Sequence, residues 1–235
     1  MAIPKRPGPL DPAVERAAEA GDVVAMRLRG QHLYASGDNH AAEEWLLAAA
    51  RAGDAEAMYS LSHVYHDRVF QDEAHDVTAG AWCRRAAEAK YVPAIRAMSS
   101  WVDLDEREFW LRKAWETGDL GAAYDLAGLF EEEGRPSEAE HWYRIACREP
   151  GHGGHVARGS WAAYLVYQGR FEDAAELLAQ NAGEGSSAAA RFLSDVLERL
   201  GRTEEAAAWR ERVDSLRAAE HEQELLLRSP ASGPA

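Results

Sequence analysis

The sequence predicts an all-α chain: a right-handed α-solenoid of about six helix hairpins with flanking capping helices. Three observations point there. Apolar residues recur at helical spacing, as in "AAEEWLLAAARAG" and "SEAEHWYRIAC". Alternating strand-like stretches are absent. A Trp-centred pattern returns with a period of roughly 33 residues, the spacing of stacked helical repeats.

The first element, "PAVERAAEAGD" (12–22), reads as a lone helix that caps the front and ends in the same Ala-Gly-Asp as 52–54. Six hairpins follow. Their first helices, starting at Met26, Met58, Ile95, Ala123, Arg158 and Ala190, share a column of small residues: Gly30, Ser62, Ser99, Ala127, Ala162 and Ser194. Three residues later stands a bulkier column: Leu33, Tyr65, Val102, Phe130, Leu165 and Leu197. Small side chains let two helix backbones approach, and bulky ones fill the space beside them. In the second helices, Trp45, Trp82, Trp110, Trp142 and Trp209 form an anchor column, with Leu177 in the fifth hairpin. Their spacing places these anchors in the inter-helix core. Three residues earlier comes Ala, except at Arg107; four residues later come Ala49, Ala86, Ala114 and Ala146, then Asn181 and Val213. Gly37, Gly134, Gly169 and Gly201 end the preceding helices, where a left-handed cap favours Gly. "SEAE" (137–140) has capping-box spacing. The third hairpin is joined tightly between Val102 and Arg107. The last helix, "AAAWRERVDSLRAAEHEQELLL" (206–227), is overlong, with a charged outer face that caps the back. The solenoid is expected over 12–217, with 1–11 a disordered tail and 218–235 the end of the capping helix and a second disordered tail.

Charge narrows the function. Forty acidic residues against 26 Lys and Arg give a formal net charge of −14, which argues against nucleic acid and anionic membrane as primary partners. "MAIPKRPGPLDP" has no apolar run, so no secretory signal is expected. Cys83 and Cys147 lie far apart within helical patterns, as reduced, buried thiols of a cytoplasmic protein do.

The small, aromatic, Ala and Trp columns resemble those of the tetratricopeptide and SEL-one-like repeat families. "AMYSLSHVYHDRVFQDEAHDVTAGAWCRRAAEA" is the more SEL-one-like unit, through its longer loop and "AWCRRAA" ending; "AAYDLAGLFEEEGRPSEAEHWYRIA" is more like a tetratricopeptide unit. The resemblance covers about residues 13 to 213. It implies a non-enzymatic module that binds a protein or peptide in a concave groove lined by the first helices. Carried over position by position, it assigns to that groove Arg27, Gln31, Tyr34, Tyr59, His63, His66, Arg96 and Tyr124. Arg offers a planar fork for carboxylates and Tyr offers rigid contact area, so the expected partner carries a carboxylate-bearing segment and meets a monomer.

Two histidine-rich stretches raise the competing possibility of chemistry. In "HVYHDRVFQDEAHD" (63–76), His63 and His66 are one helical step apart and His75 is expected in the loop. Together with Asp67 or Asp72 they are the material of a metal-assisted hydrolase. The stretch nevertheless matches no ligand motif, and a solvated polar loop has the same composition. "PGHGGH" (150–155) reads as a flexible linker between the fourth and fifth hairpins. No cofactor, metal site or catalytic residue is expected.

Overall fold

Two kinds of turn punctuate the chain. At Gly21, Gly37, Gly53 and Gly118 a glycine of positive φ is followed by Asp, and at Gly134, Gly169 and Gly201 by Arg. The glycine closes the outgoing helix: Gly37 N–H bonds Tyr34 O and Asp38 N–H bonds Leu33 O, the paired return bonds of a left-handed cap. The Asp opens the next helix. Asp22, Asp38 and Asp54 accept from the backbone N–H groups of Ala25, Ala41 and Ala57. After the Gly-Arg turns, each arginine pairs with an acid three residues on: Arg135 with Glu138, Arg170 with Asp173, Arg202 with Glu205. Lys90 adopts the same positive φ, 64°, without being glycine.

The computed structural model describes residues 8–67 and 74–228, and the described residues form thirteen α-helices, one 3-10 turn and no strand. A lone α1 (Pro12–Glu19) precedes six hairpins: α2 (Val23–Ala35) with α3 (Asn39–Arg51), α4 (Ala55–His66) with α5 (Ala74–Glu88), α6 (Val92–Ala97) with α7 (Leu104–Glu116), α8 (Gly121–Glu132) with α9 (Pro136–Ala146), α10 (His152–Tyr167) with α11 (Phe171–Gly183), and α12 (Ser187–Arg199) with α13 (Thr203–Arg228). This is the all-α helical repeat expected from the periodicity. The hairpins fall into two compact units, residues 1–122 and 123–235. The disordered tails expected at either end lie mostly outside the described residues, and α13 itself runs on to Arg228.

The small column does what small residues do. A Cβ built on Gly30 would stand 2.6 Å from Leu46 Cγ and 3.2 Å from Leu46 N, so α2 and α3 touch there because position 30 has no side chain. Ser62, Ala127, Ala162 and Ser194 are buried likewise.

The anchor column lies in the core only in part: Trp82, Trp209 and Leu177 pack against the hydrophobic clusters without being fully buried. Trp110 and Trp142 are buried, whereas Trp45, Trp82 and Trp209 are only half-buried and carry the guanidiniums of Arg29, Arg85 and Arg212 on their faces at 4.3–4.5 Å. In the first five hairpins the deeper position is one residue later: Leu46, Cys83, Leu111, Tyr143 and Leu178 are all essentially inaccessible, whereas in the sixth that position is the exposed Arg210. Helical geometry admits either residue. The Ala three before the Trp and the Ala four after it lie between the Trp and the residue that follows it on the helix surface, so both flank the inward face and packing across the hairpin decides which goes deeper. The "SEAE" capping box does not form either. Helix α9 begins at Pro136, whose fixed φ suits the first helical position, so Ser137 lies inside the helix.

The third hairpin is tight, as expected. Helix α6 lasts six residues, passes into a 3-10 turn at Met98–Ser100, and α7 starts at Leu104. Neither thiol is paired; burial pushes Cys83 up to about 12 and Cys147 up to about 11. No described helix is long and apolar enough to cross a membrane.

Candidate partner-binding face

Residues 27, 31 and 34 on α2 and residues 59, 63 and 66 on α4 have the same spacing, i, i+4, i+7, so each triplet lies along one helix face. In the first unit these two faces are adjacent. Gln31 Nε2 donates to Ser60 Oγ at 3.0 Å and to Glu56 Oε1 at 3.1 Å, and Tyr34 OH donates to Asp67 Oδ2 at 2.6 Å. Burial, then the bond to Asp67, push the Tyr34 hydroxyl well above its ordinary range. Tyr59 leans on the ring of Tyr91, the residue that caps α6, at 5.5 Å. Arg96, on α6, completes the row. Tyr124 belongs to the second unit, where its hydroxyl meets Ser160 Oγ at 3.0 Å.

The two arginines are engaged within the chain. Arg27 Nε lies 3.2 Å from Asp54 Oδ2 and its Nη1 lies 2.9 Å from Glu56, with the side chain only 15% exposed. Arg96 pairs with both oxygens of Asp119 at 3.3–3.4 Å and is 46% exposed. In both cases the acid sits at the start of the next hairpin, in the Gly-Asp turn. Arg27 thus ties consecutive hairpins together, and Arg96 is the guanidinium an incoming group can reach.

The histidines are arranged for packing more than for ligation. His63 meets Tyr59 edge-on at 4.6 Å, and His66 meets Trp101 edge-on at 5.1 Å. Desolvation, helped by the neighbouring His66, holds His63 below the usual imidazole range against the opposing pull of Asp67. His75, expected in a loop, lies in the first turn of α5; its side chain and Asp72 lie outside the described residues. Among the described residues no three His, Cys, Asp or Glu side chains gather as a metal site would require.

"PGHGGH" is not a linker. From His152 on it forms the first turn of α10. His155 contacts Glu184, which also receives Arg158. Arg158 occupies a position where the other hairpins carry Met, Ile or Ala, and it is buried. Its Nε donates to Asn181 Oδ1 at 2.6 Å, and Asn181 Nδ2 donates to the His155 carbonyl at 2.8 Å. Asn181 is itself the first departure from the Ala column, so two irregularities of the repeat answer each other.

The solved structures include a relative in fold. The chain is similar to a Sel1 repeat protein from Oxalobacter formigenes, with 23% identity, a TM-score of 0.55, and coverage of 80% of this chain and 83% of that one. The likeness establishes a SEL1-like helical repeat fold. No family model and no curated protein matches the sequence.

Proposed function

We propose, from a SEL1-like helical repeat fold, that the chain is a non-enzymatic protein-interaction module, working in the cytoplasm as a monomer. Its contact face in the first unit consists of Arg27, Gln31, Tyr34, Tyr59, His63, His66 and Arg96. The observation that carries this reading is the side-by-side placement of the α2 and α4 triplets, which join Tyr, His and Gln on a partly exposed surface backed by buried Leu61 and Val64. Tyr and Arg supply the rigid, amphipathic contacts that dominate protein interfaces. A carboxylate on the partner is met by Arg96, displacing Asp119; Arg27 holds the face in register through Asp54 and Glu56. Tyr124 contributes to partner binding from the second unit.

The test is retention of partners from the native host's lysate by wild type and by an Arg96→Glu/His63→Glu variant. Both residues reach the surface, His63 with its ring partly covered by Tyr59, and circular dichroism checks that the variant folds. A partner lost by the variant and kept by wild type supports the face. Equal retention by both removes the face from the account.

A further inference from the structure

A second surface differs from the first in both shape and charge. In the second unit, α8, α9 and α10 enclose a recess of about 510 Å³. Its walls are Tyr124, Tyr143, Tyr164 and Tyr167, and Glu131 and Glu132 also line it. The Tyr143 ring lies 6.5 Å from that of Tyr124 and 6.1 Å from that of Tyr164. Tyr143 OH donates to Glu131 Oε2 at 2.8 Å, which fixes a carboxylate beside the rings.

Two features show that the recess is more than a packing defect. A Cβ on Gly128 would meet nothing within 4 Å, so the absence of a side chain there leaves space and relieves no clash, unlike Gly30. Tyr167, at the rim, is 90% exposed, a large aromatic side chain with no covering in the chain itself.

The electrostatics select the occupant. Tyrosine faces and carboxylates both present negative potential to the same small volume, and a cation over an aromatic face is attracted by the ring quadrupole. No lysine or arginine is among the residues that line the recess. Residues 123–235 contain no lysine. Arg144 and Arg170, on and after the neighbouring helices, are held by Glu140, and Arg170 by Asp173 as well. Burial, then the bond and charge of Glu131, push the Tyr143 hydroxyl up, and burial followed by the charge of Glu131 does the same to Tyr164, so both rings stay neutral. We infer that this recess receives the side chain of a lysine or arginine carried by a protein partner. The inference rests on the interaction-module reading and extends it. The first unit's face takes an acidic group, the second unit's recess a basic one.

The experiment uses the whole chain and three short peptides that differ only at the central residue: acetyl-Gly-Gly-Lys-Gly-Gly-amide and its norleucine and glutamate counterparts. Tyrosine ring resonances are followed by NMR. The lysine peptide is expected to shift Tyr124, Tyr164 and Tyr167 saturably, the other two not. Gly128→Leu, which starts a side chain from open space on the recess wall, and Glu131→Gln/Glu132→Gln each weaken it by about tenfold or more. Absence of tyrosine shifts, equal shifts with norleucine, or equal affinity in Gly128→Leu overturns the inference. If the glutamate peptide binds wild type and loses affinity in Arg96→Glu while the lysine peptide is refused, the recess assignment falls and the interaction module stands. A chain that takes up no peptide and retains no partner fails on both.

Discussion

Arg158 and Asn181 should behave as one unit. Asn181→Ala removes the acceptor of Arg158 Nε and the donor to the His155 carbonyl, at a site where Arg158 is 6% and Asn181 4% exposed. A buried guanidinium nitrogen and a part-buried carbonyl losing their partners cost about 2–4 kcal/mol together. Arg158→Met leaves Asn181 Oδ1 unanswered and releases Glu184, which is 39% exposed and rehydrates; that single change costs about 1–3 kcal/mol. The double variant restores what other hairpins already use, Met as at Met26 and Met58 and Ala as at Ala49 and Ala146. It should therefore cost less than about 2 kcal/mol, a coupling of about 1–2 kcal/mol or more. Urea denaturation followed by far-UV circular dichroism measures all four corners of the cycle. Additive single effects, or a neutral Asn181→Ala, would refute the reasoning.

Three further outcomes follow from particular contacts. Gly30→Ala forces a methyl into Leu46 and should destabilise by about 1–2 kcal/mol even after its helix-propensity gain, while Gly128→Ala, with open space above it, should stabilise by about 0.5–1 kcal/mol in the same melts. A thiol reagent at about pH 8 should leave Cys83 unlabelled in the native chain, since burial holds its thiol up to about 12, and should label it fully in denaturant; rapid native labelling would contradict its burial. His63 binds a proton less readily folded than unfolded, so its contribution to stability is complete above the unfolded pKa and declines as pH falls from about 6.5 toward the depressed folded value. A fall in the urea midpoint between about pH 7.5 and 5.5 should shrink in His63→Gln, and an unchanged fall would count against the assignment.

How far the sequence could be read depended on how local each feature is. The hairpins were legible because glycine caps, the small column and the Ala spacing are all set within one or two turns of chain. The Trp column was legible only in part: Trp and the residue after it flank the Ala face alike, and which of them is buried deeper depends on packing between helices. Arg27 and Arg96 stood out as groove cations in an acidic protein, yet Asp54 and Asp119 meet them from the next Gly-Asp turn, and that meeting depends on how consecutive hairpins pack. Tyr143 was hidden for a related reason. It occupies the slot held by leucine in the first, third and fifth hairpins and by cysteine in the second, and only the fold brings it against Tyr124, Tyr164 and Glu131.

The central claim is that the first helices of the hairpins carry the binding surface. Hydrogen–deuterium exchange on the whole chain, with and without a partner it retains, tests that most directly. The account predicts slowed exchange in 23–35, 55–66 and 92–97, where α2, α4 and α6 lie, with α3, α5 and α7 unchanged. Slowing confined to α3, α5 and α7 would place the partner on the opposite helices and contradict the account.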